Sequence, residues 1–153
     1  MSKSSVPYAS ATSGSAAREE IIKVLKRFGC SSIGFMDNFD QHSVLLYFEH
    51  RGNQVRLEAS AKGWAAMYLR ENPWSPQRRS SRADYERAAL DKGVVAINSV
   101  LRDWVKGQVT AVESGVMSFA AVFFAHMIAA DGRPLLAHVS EAKLLPSPSA
   151  APV

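Results

Sequence analysis

The stretch SVLLYFEHRGNQVRLEA, residues 43–59, alternates apolar and polar side chains on either side of a short turn. From Ser43 to His50 the residues Val44, Leu46 and Phe48 fall on one side, and Leu45 and Tyr47 on the other, which is the period of two that a strand requires. Arg51-Gly52-Asn53 is a short turn containing glycine. From Gln54 to Ala59 the pattern resumes, with Val55, Leu57 and Ala59 inward and Gln54, Arg56 and Glu58 outward. Two such runs across a short turn predict an antiparallel hairpin. Upstream, Ser32 to Met36 sets Ile33 and Phe35 on one face, and the turn-forming residues Asp37-Asn38-Phe39-Asp40 follow. Three strands joined by short loops predict an antiparallel meander with one face covered by helices.

The flanking segments read as those helices. Ile21, Val24, Leu25 and Phe28 recur at i, i+3, i+4 and i+7, which predicts a helix from about Ala16 to Phe28, capped by Ser15 and stopped by Gly29. Ser60 begins a second helix, Ala61 to Glu71, with Ala61, Trp64, Ala65 and Tyr68 as its buried stripe. Asn72-Pro73 ends it, because the residue before proline is pushed out of helical geometry. After an exposed connector, Trp74 to Ser80, a long helix is predicted from Ser80 or Ser81 to Glu113. Its apolar stripe is Ile97, Leu101, Trp104, Val105, Gln108 and Val112, with Gln108 its one polar member, and Gly93 is a place for a kink or a split. Phe119 to about Ile128 is apolar nearly all round, which predicts a helix packed on several sides. Leu135 to Leu145 leans towards a short helix.

The expected class is therefore α+β: a three-stranded antiparallel meander packed against an N-terminal helix and a C-terminal helical layer. The 153 residues make one domain, expected over residues 15–145. The Ser/Ala-rich residues 1–14 and the proline-rich residues 146–153 are expected to be disordered tails. Hydrophobic residues at 47% and charged residues at 21% match an ordinary globular chain. One cysteine, Cys30, excludes an internal disulfide framework and a cysteine-based zinc cluster. No apolar run approaches the roughly 18 residues of a membrane span, and no signal-peptide core opens the chain, so a cytoplasmic protein without a membrane partner is expected.

The net charge of +4 is concentrated in one window. Residues 51–82 hold seven cations, Arg51, Arg56, Lys62, Arg70, Arg78, Arg79 and Arg82, against Glu58 and Glu71. Six of the seven are arginine, whose planar fork suits phosphate and carboxylate. A localised arginine surplus is the footprint of a polyanionic partner. Tyr47 could share a sheet face with Arg56, and Trp74 adjoins Gln77-Arg78-Arg79; an aromatic beside a cation can stack a base and hold its phosphate. These nine residues are the candidate nucleic-acid contacts. The competing reading packs Tyr47 and Trp74 into the core, under the long helix.

Signals for catalysis are weak. None of His42, His50, His126 and His138 pairs with another at metal-ligand spacing; His42 and His50 read as surface residues and His126 as a core histidine. There is no nucleophile elbow, phosphate loop or dinucleotide fingerprint. Cys30 follows the C-terminal end of a helix, where the dipole raises a thiol pKa. Asp40, Glu49, Glu58 and Lys62 could form a metal-nuclease set only if the carboxylates converged on one ion. The expectation is a protein that is not an enzyme, with no cofactor and no metal.

The segment Leu101-Arg-Asp-Trp-Val-Lys-Gly-Gln-Val-Thr-Ala-Val-Glu-Ser-Gly-Val-Met-Ser-Phe119, followed by Phe124 and Asp131-Gly-Arg-Pro134, resembles small proteins of tailed phages, prophages and related mobile elements. The resemblance spans residues 16–136. It implies a genomic setting and no catalytic residues, since the family has no established activity. With the arginine window, it leads to the expectation of a phage or prophage accessory protein that binds nucleic acid, single-stranded DNA among the candidates, in replication, recombination or gene regulation. The alternative is an inhibitor or adaptor that binds a host protein, with Trp74 and the arginines as anchors. The stripe on the long helix could also serve a homo-oligomer.

Overall fold

A computed structural model describes residues 6–147. Helix α1 (Gly14–Phe28) leads into strands β1 (Cys30–Asn38), β2 (Ser43–His50) and β3 (Asn53–Ser60). Helix α2 (Lys62–Glu71), the long α3 (Arg82–Glu113), the short α4 (Phe119–Phe123), a 3-10 turn (Phe124–His126) and α5 (Leu135–Glu141) complete the chain. The strands form one antiparallel sheet in the order β1-β2-β3, so the expected α+β meander is the observed one.

The hairpin follows from its turn. Arg51 and Gly52 both have positive φ, 49° and 82°, which is the two-residue geometry whose twist matches the strands it joins. Pairing then runs from His50 opposite Asn53 to Ser43 opposite Ser60. On the covered face Val44, Leu46, Phe48 and Val55 have no solvent exposure. They meet Ile21 and Leu25 of α1, Val105 and Val109 of α3, and Phe123 of α4, whose ring meets Phe48 edge-on at 5.5 Å. Each such fully buried side chain is worth roughly 1.5–3 kcal/mol. α1 lies along α3, and α2 packs on the N-terminal half of the same helix.

Several local expectations are corrected. α1 starts two residues early, at Gly14, because the Ser13 hydroxyl rather than Ser15 accepts the Ala16 N–H. Residues 6–13 are not a loose tail: Val6 is buried, the Pro7 carbonyl accepts the Trp64 indole N–H at 2.9 Å, and the Tyr8 hydroxyl donates to Asp103 at 2.6 Å. The expectations for residues 1–5 and 148–153 lie outside the described residues. Gly93 does not split α3; a Cβ there would stand 3.1 Å from the Ala61 carbonyl and 3.3 Å from the Trp64 ring, so glycine lets α2 and α3 touch.

The apolar run from Phe119 does not continue as one helix. It is helical only to Phe123, and after the 3-10 turn Met127 and Ile128 become extended. There the Ile128 N–H donates to the Gln54 carbonyl at 2.8 Å on the free edge of β3. A hydrogen bond to an open sheet edge outcompetes continuation of the helix. His50 is not a surface residue: it is 6% exposed, and its ring stacks against Phe28 at 4.1 Å and Phe119 at 4.9 Å, rings that also stack on each other at 6.2 Å. Among the described residues, no helix is long and apolar enough to cross a membrane.

Candidate nucleic-acid interface

The seven window cations are carried on different parts of the fold. Arg51 is at the tip of the β2–β3 hairpin and Lys62 opens α2, beyond the other end of β3. The eight residues of β3 put these two ends roughly 25 Å apart. Arg56 sits mid-strand on the face away from α1 and α3. Arg70 is near the end of α2, Arg78 and Arg79 are on the connector, and Arg82 opens α3. The window therefore divides into a sheet part, Arg51, Arg56 and Lys62, and a connector part, Arg70, Arg78, Arg79 and Arg82.

On the open sheet face the register sets Tyr47 directly opposite Arg56 on one side and Gly34 on the other. Tyr47 is thus not under α3, and the aromatic and the arginine share a face. The same face also carries Glu49 and Glu58, in the rows on either side of the Tyr47–Arg56 row. The Tyr47 hydroxyl donates to Glu49 at 3.4 Å, and its pKa is raised by desolvation first and by that carboxylate second. Arg56 donates to the Gly132 carbonyl at 3.5 Å and, with Glu58, lines a recess of about 250 Å³ beside His126 and Pro134. One cation against two carboxylates gives the central rows of this face a negative balance, which opposes phosphate. Lys62 reaches Gln41 at 3.0 Å rather than either glutamate. Among the described residues, no three His, Cys, Asp or Glu side chains are placed to hold a metal ion.

The connector is closed by its own side chains. Trp74 donates its indole N–H to the Ser80 carbonyl at 2.9 Å, which ties the loop's two ends together. The Tyr85 hydroxyl, one turn into α3, donates to the Asn72 carbonyl at 2.6 Å. Arg78 lies over the Tyr85 ring with 4.5 Å from guanidinium carbon to ring centre, and its Nε donates to the Pro73 carbonyl at 3.2 Å. Trp74 is half-buried in this loop, while Arg70, Arg78, Arg79 and Arg82 are all exposed. Arg82 also pairs with Glu86 at 3.1 Å, an exposed pair along the helix worth about 0.3–0.5 kcal/mol and readily exchanged for another anion.

Compared with protein-family models, curated proteins and solved structures, the chain matches none. Two further cations belong to the connector's surroundings and were outside the charge window. Arg87 pairs with Asp84 one turn into α3, and the Lys92 ammonium lies 5.7 Å from the Tyr68 ring centre, where α3 faces α2. The signal available for Lys92 was its i+7 spacing from Tyr85 on one helix face. The remaining chemistry is quiet. His126 is half-buried, edge-on to Trp104 at 5.9 Å, and burial lowers its pKa. Burial pushes the Cys30 thiol up to about 11, in the direction expected from its helix end but from a different cause.

Proposed function

We propose that the protein binds nucleic acid through the α2–α3 connector, as an accessory factor of a phage or prophage. The observation that carries this reading is the connector itself: Arg78 and Arg79 are exposed on a loop that Trp74, Arg78 and Tyr85 hold closed, and the exposed Arg70 and Arg82 stand on the helix ends that flank it. A loop already ordered gives up little conformational entropy on binding, so more of the charge attraction survives as affinity. Arginine forks grip successive phosphates, and the exposed part of Trp74 offers a surface for a base. Arg51, Arg56, Lys62 and Tyr47 stand outside the contact in this reading.

The test is a titration of labelled single- and double-stranded oligonucleotides at two salt concentrations. Binding that weakens steeply with salt supports the proposal; no binding at low salt removes it. A second reading, an inhibitor or adaptor for a host protein, is favoured by a different observation. Val116, Met117, Phe124, Leu136, Leu144 and Leu145 are large apolar residues left exposed in the C-terminal third. Capture of a host protein that persists after nuclease treatment supports that reading over the first.

A further inference from the structure

We infer that β1 is the seam of a homodimer, in which two copies pair antiparallel through their outer edges about a two-fold axis at Gly34. Each three-stranded sheet then continues into the other to make one sheet of six strands. This is independent of the nucleic-acid reading, because the seam uses no connector residue.

The hydrogen-bond pattern shows what β1 presents. In a hairpin closed by two residues, the flanking pair His50–Asn53 exchanges hydrogen bonds, so alternate β2 residues point their backbone groups to β3. Ser43, Leu45, Tyr47 and Glu49 then face β1 and bond Asn38, Met36, Gly34 and Ser32. The N–H and C=O groups of Ile33, Phe35 and Asp37 are left pointing off the sheet. The same parity sends the Gln54 carbonyl off the β3 edge, where the Ile128 N–H meets it. So β3 has its edge covered at its start, at Val55 by Met127, whereas no described residue pairs with the outer edge of β1.

Open edges are normally guarded by lysine, proline or an inward charge. Cys30–Asn38 contains no Lys, Arg or Pro. Its one charge, Asp37, is on the helix-covered side with Ile33 and Phe35, but Arg18 of the same chain neutralises it there. The single irregularity is a bulge at Ser31, near one end.

A second copy fits this edge. With Gly34 on the axis, Ile33 faces the partner's Phe35 and Phe35 faces the partner's Ile33, both on the helix-covered side. Ser32 faces the partner's Met36, and Asp37 faces the partner's Ser31, so no like charges oppose each other. The contact is self-complementary, as a two-fold interface must be. Met36, 63% exposed, gains a neighbour across the seam, and no atom lies within 4 Å of where a Gly34 Cβ would stand, so the backbones meet unobstructed.

Analytical ultracentrifugation of the full chain over a wide concentration range tests the seam, with amide exchange measured at each end of that range. The expected result is a dimer at high concentration, with protection at the Ile33, Phe35 and Asp37 amides rising alongside it. Gly34→Lys adds a side chain to open space in one copy but sets two ammonium groups opposite each other across the axis, and should weaken dimerisation by about fivefold. Ile33→Pro removes an outward N–H that the monomer's ladder does not use, and should weaken it by about tenfold or more. A monomer at every concentration, or a dimer that both folded variants leave unchanged, overturns the inference.

Discussion

Burial of His50 against the Phe28 and Phe119 rings makes it a neutral packing residue. Loss of solvation lowers its pKa, the nearby Arg51 charge adds to this, and a hydrogen bond to the Phe28 backbone opposes it. In the unfolded chain the imidazole takes up a proton as pH falls through about 6.5, while in the fold it stays neutral to lower pH. The unfolded state therefore binds more protons in that window, and stability falls as pH drops below about 6.5. Above it the group contributes no slope. His50→Phe keeps an aromatic against both rings and removes the titration. Melting temperatures at pH 7.5 and 5.5 should converge in the variant relative to the native protein, and an unchanged difference would contradict this account of His50. Two glycines of α3 make a second contrast. Gly107 is exposed with nothing within 4 Å of a Cβ, so Gly107→Ala should stabilise by about 0.5–1 kcal/mol. Gly93 is pressed against Ala61 and Trp64, so Gly93→Val should cost roughly 1–3 kcal/mol. Denaturant midpoints of the two variants measure both.

At the scale of elements, what was legible in the sequence was what is local. β2 runs from Ser43 to His50 and α3 ends at Glu113, as their periodicities indicate, and Gly29 stops α1 in the left-handed conformation. The parity of β2 also placed His50 with Val44, Leu46 and Phe48; its polarity concealed that. What was not legible depends on distant partners. Val6 and Tyr8 sit in a Ser/Ala-rich stretch whose composition hides that α2 and α3 hold it. The Phe119–Ile128 run is cut short by a hydrogen bond to Gln54, more than seventy residues away in sequence. For the site, the pairing of Tyr47 with Arg56 depended on register, and the flanking Glu49 and Glu58 on which face the strands turned outward. The hairpin turn yields its own prediction. Arg51 is a non-glycine residue at φ 49°, a conformation asparagine accepts more readily, and Asn-Gly is the favoured pair for this turn. Arg51→Asn should stabilise the fold by about 0.5–1 kcal/mol, read from its melting curve, and leave oligonucleotide affinity unchanged, since the tip lies far from the connector.

For the whole molecule, the division of the cationic window sets the functional question. A basic sequence segment became two regions because Arg51, Arg56 and Lys62 are spread along β3, while Arg78 and Arg79 lie on the α2–α3 connector and Arg70 and Arg82 on the helix ends that flank it. Net charge acts at long range, but salt-dependent affinity counts the phosphates actually contacted. The most direct test is therefore the salt dependence of single-stranded oligonucleotide binding, measured by anisotropy for the native chain and for a variant with those four connector arginines changed to alanine. Each phosphate contact contributes a log–log slope of about −0.7 on a single strand, so the variant should bind more weakly with a slope shallower by up to about 3. An unchanged slope in a variant that folds normally, or a loss produced equally by Arg51→Asn and Arg56→Ala, would contradict the account.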